Sequence, residues 1–266
     1  MKLILCLLLS LPAFGQKLPS LGWGCVHGLT GCSPTLPLSY GSHYHATPMN
    51  GLVAYWTFDE GTGSSVSDSS GGGNTGTWHG TLGSQWTQGK IGAYAGSFDG
   101  TDNYVDFGAA TNFYFANTTF TAAGWIKTST NGVIIAHTLN NGGWAVALEL
   151  GCSSGQFGFV WKNSVNTTGD VCATVTVEDG NWHFFTVVAT TNTTTAASNT
   201  ALLYIDSVLL PIASSTSTTY GTPSGDLQIG RRSAGNFFTG TIDNIPIYSR
   251  ALSPEEVQAL YLSSLH

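Results

Sequence analysis

The sequence predicts an all-β protein, a sandwich or barrel of short strands that ends in one short C-terminal helix. Two features of its composition favour this class: only 9% of the 266 residues are charged, and 34 residues are glycine. Ordinary soluble domains carry roughly 25% charged residues, and helical bundles draw heavily on Ala, Glu, Lys and Arg. The third observation is a succession of short β-branched and aromatic runs separated by turn residues.

The first segment, residues 1–16, has the pattern of a secretory signal peptide. Lys2 supplies a positive charge, Leu3 begins an apolar run that ends at Leu11, and Ala13-Phe14-Gly15 places small residues before a cleavage point. The apolar run is too short to cross a membrane as a helix. We therefore expect a secreted, extracellular protein without a membrane span.

Residues 17–50 are predicted to form a leader or spacer before a single domain at 51–266. The leader carries Pro19, Pro34, Pro37 and Pro48 among scattered Gly and Ser, without sustained periodicity. From residue 51 the sequence pattern changes to short apolar runs separated by turn residues, as in a β domain.

Four cysteines remain after removal of the signal peptide: Cys25, Cys32, Cys152 and Cys172. An even number in an exported chain indicates disulfide pairing. The pairing local in sequence joins Cys25 to Cys32 and Cys152 to Cys172, and two other connectivities stay open. A loop of about 20 residues closed by the second bridge would constrain the unfolded chain by ~3 kcal/mol.

Twelve short runs in the domain predict strands, because β-branched and aromatic residues are bounded by Gly, Asn, Ser and Asp. The runs are 52–58, 104–107, 119–127, 132–138, 144–150, 156–161, 173–177, 182–190, 201–206, 208–212, 227–230 and 241–248. In the run 182–190 both alternating faces are largely apolar. This pattern favours a central strand covered by a second sheet.

The C-terminal helix is predicted from Ser253-Pro254-Glu255-Glu256. Ser253 offers a capping hydroxyl, proline suits the first helical position, and Glu256 completes a capping box. Val257, Leu260 and Tyr261 then lie on one face. We expect this face to close the domain.

Five groups of motifs occur in a fixed order along residues 51–262. They are 51–61 followed by 67–71, then 96–100 leading to Tyr104-Val105, then 122–126, then the Asp-Gly-Asn-Trp-His sequence at 179–183, then 240–244 with 248–253. Together they resemble the laminin-G-like branch of the concanavalin A-like lectin/glucanase superfamily. The resemblance implies a jelly roll of two antiparallel sheets. Ser207 departs from it, since the family usually has glycine after the aspartate at that turn.

Members of this superfamily include enzymes, glycan binders and adhesive modules, so the site residues must decide the function. Retaining glycosidases need two carboxyl groups about 5–5.5 Å apart, which on one strand requires acids at i and i+2 or i+4. The candidate strands for such a pair carry a lone Glu149, while Glu178-Asp179 sits at a turn and Glu255-Glu256 caps a helix. The Arg- and His-containing strands expected of alginate-lyase-like members are also missing, since Arg231-Arg232 lies in a Gly/Ser loop. The sequence therefore favours a non-catalytic module, with a glycan-cleaving enzyme as the less favoured alternative.

Four tryptophans are the candidate carbohydrate-binding residues: Trp144, Trp161, Trp78 and Trp86. Each has Gly, His, Asn or Gln neighbours, which favours exposure. A flat aromatic face beside a few polar groups is a common arrangement for binding a small ligand. Packing between the sheets is the alternative interpretation for each of them.

Asp59 and Asp243 are the candidate metal ligands, because the resemblance implies a structural calcium where the first and last strands meet. Calcium prefers oxygen ligands. The alternative is that both are solvated or hydrogen-bonding turn residues. For His183 we weigh a role as general base or ligand against packing beside Trp182, and the motif favours packing.

The charge balance argues against nucleic acid as a partner. The sequence has 8 Lys and Arg against 15 Asp and Glu, a net charge of −7, without a basic run. We expect a secreted binding module that recognises carbohydrate or another extracellular surface component and holds structural calcium. The alternative is a structural or adhesive protein that associates with copies of itself in cell adhesion.

Overall fold

The computed structural model describes residues 50–109, 115, 118–139, 144–152, 157–163, 165–232 and 235–265. The predicted signal peptide, nearly all of the leader, and with it Cys25 and Cys32, lie outside these residues. None of the described helices is long and apolar enough to cross a membrane.

The described chain folds into eighteen strands and one α-helix. In chain order these are β1 (Leu52–Trp56), β2 (Ser65–Val66), β3 (Gly76–His79), β4 (Trp86–Gln88), β5 (Tyr94–Asp99), β6 (Tyr104–Asp106), β7 (Thr119–Lys127), β8 (Gly132–Thr138), β9 (Trp144–Leu150), β10 (Phe157–Lys162), β11 (Thr168–Ala173), β12 (Trp182–Thr190), β13 (Thr200–Ile205), β14 (Val208–Leu209), β15 (Ile212–Thr216), β16 (Leu227–Ile229), β17 (Thr239–Asp243), β18 (Ile245–Tyr248) and α1 (Pro254–Ser263). The all-β prediction with a short C-terminal helix is confirmed.

The strands form two antiparallel sheets, as the jelly-roll resemblance implies. Sheet A has the order β14-β13-β12-β7-β17-β5-β4, and β18 also pairs with β7 and with β1. Sheet B has the order β15-β11-β10-β9-β8-β16-β6-β3-β2. Asn244, with φ of 50°, separates β17 from β18, so the predicted single run 241–248 becomes two strands.

The core lies between the sheets because successive side chains of a strand point to opposite faces. In β12, Phe185 and Val187 belong to the inter-sheet core, whereas Phe184 and Val188 belong to a second cluster on the outer face of sheet A. Both faces of this strand are buried, which confirms its prediction as a central strand.

Helix α1 covers part of the outer face of sheet A. The Ser253 hydroxyl accepts a hydrogen bond from Glu256 N, and the Glu256 carboxylate accepts one from Ser253 N, so the predicted capping box is present. Val257 and Leu260 are buried against the sheet with Trp125 and other apolar residues. In the described part of the chain, no α-helix lies on the outer face of sheet B.

Two strand predictions are wrong. The run 173–177 is not a strand; β11 lies just before it at Thr168–Ala173, because Asp170 is a buried strand residue whose Oδ1 accepts a hydrogen bond from Thr216 N at 2.7 Å. The run 208–212 divides into β14 in sheet A and the start of β15 in sheet B. Strands β2, β3, β4 and β5 were not predicted, since glycine and polar residues interrupt their apolar pattern.

The β13–β14 hairpin accommodates serine where the family usually has glycine. Asp206 and Ser207 both have positive φ, 51° and 64°, the combination that a type I′ turn requires. The Asp206 carboxylate stabilises the turn by accepting hydrogen bonds from Phe184 N at 2.8 Å and from His183 Nδ1 at 2.9 Å. We therefore assign His183 a role in fixing this hairpin.

Cys152 and Cys172 form a disulfide, so the second predicted bridge is present. It joins the end of β9 to β11 across the intervening strand β10. Gly158 of β10 lies beneath it, and a Cβ at this position would clash with the Cys152 sulfur.

Candidate functional site

The outer face of sheet B carries the polar and aromatic side chains that sheet alternation directs away from the core. In β10, Trp161 faces the core, whereas Val160 joins a small outer cluster with Cys152, Cys172 and residues of β8 and β9. The same alternation places on the outer face His79 of β3, Tyr104 and Asp106 of β6, Gln228 of β16, Glu149 of β9 and Asp170 of β11.

An aromatic and cationic group, which we call the shelf, consists of His79, Tyr104, Arg231 and Phe237. The His79 and Tyr104 rings stack with centroids 4.8 Å apart and planes inclined by 11°. The Arg231 guanidinium carbon lies 3.5 Å from the Tyr104 ring centroid, a cation–π arrangement. His79 is exposed, and the other three are partly exposed. The shelf therefore presents aromatic surface and positive charge to solvent.

A chain of hydrogen bonds holds the shelf to the sheet. Arg231 Nε donates to Gln228 Oε1 at 3.1 Å, and Gln228 Nε2 donates to Asp106 Oδ2 at 3.0 Å. Asp106 Oδ1 in turn accepts from Gly108 N at 2.7 Å. Gln228 is buried, so its amide has few alternative orientations. This chain fixes the position of the Arg231 side chain.

A polar cleft of about 320 Å³, which we call the cleft, adjoins the shelf at Phe237. Its walls include Asn131, Glu149, Arg232 and Asn236. Arg232 Nη1 donates to Glu149 Oε2. Burial raises the pKa of the Glu149 carboxyl, and the charge of Arg232 opposes this shift. Sequence reasoning missed this pair because Glu149 and Arg232 are 83 positions apart.

Asp59 and Asp243 meet at one loop on the sheet A side of the molecule. Two main-chain amides of the loop 90–94 donate to each carboxylate, with distances of 2.8–3.0 Å. Burial raises the pKa of Asp243 to about 7, and the nearby charge of Asp59 adds to this shift. The described residues contain no cluster of three or more acidic, histidine or cysteine side chains suited to a metal.

The two carboxylates fit a hard cation as oxygen donors. The pKa of Asp243 is raised chiefly by burial, with a smaller contribution from the charge of Asp59, and a bound cation would stabilise the charged form of both carboxylates. Main-chain carbonyls or water would have to complete the coordination shell. The hydrogen bonds to the loop 90–94 equally fit the alternative interpretation of both residues as turn residues.

Comparison with known families decides the classification. Residues 99–258, more than half of the chain, match a laminin G family described as the concanavalin A-like lectin/glucanases superfamily. The chain belongs to this superfamily. A comparison with curated proteins finds no significant match.

Solved structures of the same fold resemble this concanavalin A-like domain. Domain 4 of AbnA, a GH43 extracellular arabinanase from Geobacillus stearothermophilus solved in complex with arabinotriose, is 19% identical with a TM-score of 0.57; the match covers 79% of this chain and 98% of that one. The receptor-binding domain of botulinum neurotoxin type G is 14% identical with a TM-score of 0.55, covering 80% of this chain and 51% of that one. Trypanosoma rangeli sialidase, in complex with the inhibitor DANA, is 16% identical with a TM-score of 0.57, covering 81% of this chain and 33% of that one. At these identities the likeness shows the fold.

Two of the four predicted carbohydrate-binding tryptophans are buried in the concanavalin A-like core, which contradicts their expected exposure. Trp161 is 0% exposed, and its Nε1 donates to Thr218 O at 3.1 Å. Trp78 is 2% exposed and packs against Phe58 and Phe98. Strand alternation is the reason: both point between the sheets, and in β3 it is His79 next to Trp78 that faces outward.

The other two predicted tryptophans have different positions. Trp86 is partly buried on β4 of sheet A, and its Nε1 donates to Gly63 O at 3.1 Å. It therefore lies on the sheet opposite to the shelf. Trp144 begins β9, but its side chain lies outside the described part of the structure, so its role in carbohydrate binding stays a prediction.

Proposed function

We propose that this domain is a secreted, non-catalytic module that binds glycans at the shelf and the cleft. The observation that carries the proposal is the adjacency of the two features: solvent-accessible rings of His79 and Tyr104 next to a cleft with Glu149, Arg232 and Asn236 on its walls. Aromatic faces pack against the apolar side of a sugar ring, and fixed polar groups bind hydroxyls. The arabinotriose complex of an arabinanase domain with the same fold supports this function.

The test is a glycan array with the full secreted chain and two variants. We expect Tyr104→Ala to weaken binding about tenfold or more, because it removes the ring that joins His79 to Arg231. Tyr94→Ala is the matched control, since Tyr94 is an exposed aromatic residue of β5 in sheet A. Absence of glycan binding by the wild type, or equal losses in the two variants, would refute this assignment. Trp144→Ala in the same array tests the remaining predicted tryptophan.

We also propose calcium as a structural ion held by Asp59 and Asp243. The two carboxylates converge on one loop, and neutralisation of their charge would stabilise the junction between the early chain and β17. A melting midpoint that rises with calcium and falls with chelator supports the site. An unchanged midpoint, or an equal response in Asp243→Asn, counts against it.

Self-association in an adhesive role is a second candidate, favoured by exposed apolar residues at the sheet edges. Val208, Leu209 and Ile212 are at least 44% exposed, and β14 and β15 are the terminal strands of their sheets. Unprotected edge strands pair readily with other chains. Sedimentation at micromolar concentration distinguishes the candidates: a stable oligomer that Val208→Lys dissociates would favour adhesion.

Glycan cleavage is the remaining alternative, because Glu149 has a raised pKa and Asp170 lies on the same face of sheet B. A carboxyl group with a raised pKa can serve as a general acid. Incubation with β-glucans, arabinans and alginates, followed by assay for new reducing ends or unsaturated sugars, tests it. Product that disappears in Glu149→Gln would replace the non-catalytic assignment.

A further inference from the structure

The two neighbouring arginines at the shelf and the cleft have different electrostatic environments. Arg232 is neutralised by Glu149. Arg231 has no carboxylate within ion-pair distance among the described residues, whose four ion pairs involve other groups. The described hydrogen bond of Arg231 uses Nε alone. Its two terminal nitrogens are therefore available to an external acceptor.

The Arg231 side chain is held in place before any ligand arrives. Its guanidinium packs 3.5 Å from the Tyr104 centroid, and Gln228 accepts from its Nε. An isolated β-bridge to Phe237 holds the main chain from which it projects. An arginine held in this way loses little side-chain entropy when it binds, and its planar fork matches a carboxylate through two parallel hydrogen bonds.

The net negative charge of the chain does not prevent an anion from binding here. Charges separated by more than about 8 Å are largely screened at physiological ionic strength. Two carboxyl groups, Asp106 and Asp226, lie near the shelf. Asp106 accepts hydrogen bonds from Gln228 and Gly108. The pKa of Asp226 is raised chiefly by burial and then by the charge of Asp106, and the charge of Arg231 opposes this shift. Arg231 is a permanent cation of the shelf, because a guanidinium stays protonated, and its terminal nitrogens are the donors that an anion at the shelf would contact.

From this geometry we propose that the glycan bound at the shelf is acidic, and that the terminal nitrogens of Arg231 bind a sugar carboxylate while the sugar ring packs on Tyr104 and His79. This inference rests on the proposed glycan-binding function and names its ligand class. Arg232, which is paired with Glu149, and the other polar residues of the cleft form hydrogen bonds with the hydroxyls of neighbouring sugar units.

The experiment compares each acidic glycan with its own neutral form. Oligogalacturonates, oligoalginates and hyaluronan oligosaccharides are titrated into the full secreted chain by calorimetry, beside the same oligosaccharides after chemical reduction of the carboxyl groups to alcohols. We expect at least one acidic form to bind about tenfold more tightly than its reduced form, with an affinity that falls as salt rises. Wild-type protein that binds only neutral glycans overturns the inference and leaves the proposed function standing. Wild-type protein that binds no glycan overturns both.

Three variants locate the effect. We expect Arg231→Gln to bind the acidic oligosaccharide about tenfold more weakly than the wild type and the reduced oligosaccharide almost as tightly. Retained binding of the reduced form shows that the shelf is still folded. Arg231→Lys keeps the charge without the fork and is expected to recover only part of the loss. Lys127→Gln, which removes an exposed positive charge on sheet A, is the control and should bind as the wild type. Equal affinity of Arg231→Gln and wild type for the acidic form would overturn the inference.

Discussion

Asp243 lies fully buried at the end of β17. The pH dependence of stability tests its environment beside Asp59. The pKa of Asp243 is raised from 3.8 to about 7, chiefly by burial. Between these values the folded chain keeps a proton that the unfolded chain has lost. The stability contributed by this residue is therefore complete below pH 3.8 and is lost as the pH rises through 7.

We predict that Asp243→Asn removes this loss of stability in the absence of divalent ions. The variant should melt on the order of 5 °C above the wild type at pH 8 and close to it at pH 4. His137 acts in the opposite direction, because burial lowers its pKa to about 4 and its stabilising effect is lost as the pH falls below 6.5. Comparison of the two proteins at each pH cancels the His137 contribution. A difference in melting temperature that does not change with pH would contradict the prediction.

Trp161 is a core residue, and its replacement should affect stability before binding. We predict that Trp161→Ala lowers the free energy of unfolding by about 3–5 kcal/mol, the usual cost of removing a large buried aromatic side chain. Urea denaturation measures the loss. Trp86→Ala, at a partly exposed site, should cost less. A Trp161→Ala protein that is as stable as the wild type but unable to bind glycan would contradict the core assignment and favour Trp161 as an exposed carbohydrate-binding residue.

At the scale of elements, the β13–β14 hairpin contains a residue under backbone strain. Ser207 has φ of 64°, a region that costs a side chain roughly 1–2 kcal/mol and that glycine occupies freely. We predict that Ser207→Gly raises the melting temperature by about 2–4 °C. Ser217→Gly is the control, since Ser217 is exposed and lacks a positive φ. A lower melting temperature for Ser207→Gly would show that another contact of serine outweighs the strain.

The disulfide that crosses β10 links the segment just after β9 to β11 in sheet B. We predict that a thiol reductant lowers the stability of the wild type by about 3 kcal/mol, because the bridge closes a loop of 20 residues. The Cys152→Ala/Cys172→Ala double variant should already have the lower stability and should not respond to the reductant through this bridge. Equal denaturation midpoints for the wild type with and without reductant would contradict this role.

Elements whose signals are local could be predicted from the sequence. The capping box of α1 uses neighbouring residues, and the apolar faces of β12 follow from alternation within one strand. β11 was misplaced because Gly169-Asp170 has the composition of a turn, whereas Asp170 obtains its hydrogen bond from Thr216 in another strand. The position of such a strand depends on contacts with segments that are distant in the chain, and the pattern of a single sequence does not reveal these contacts.

At the scale of the whole molecule, the sheet order assembles the shelf. Strands β16, β6 and β3 are neighbours in sheet B, and this order brings His79, Tyr104 and Arg231 together although 152 positions separate the first from the last (231 − 79). The sequence indicates the fold and a binding role, but its pattern predicts tryptophans as the binding residues instead of the smaller rings of the shelf. Trp161 and Trp78 are buried for the same reason that makes tryptophan valuable in a core, its large apolar area.

The most direct test of the proposed glycan-binding site is an NMR titration that maps where a glycan contacts the domain. The glycan that binds most tightly on the array is titrated into isotope-labelled protein. The account predicts that the signals of His79, Tyr104 and Arg231 shift together and saturate at one affinity. Saturable shifts confined to the outer face of sheet A, around Trp125 and helix α1, would contradict it.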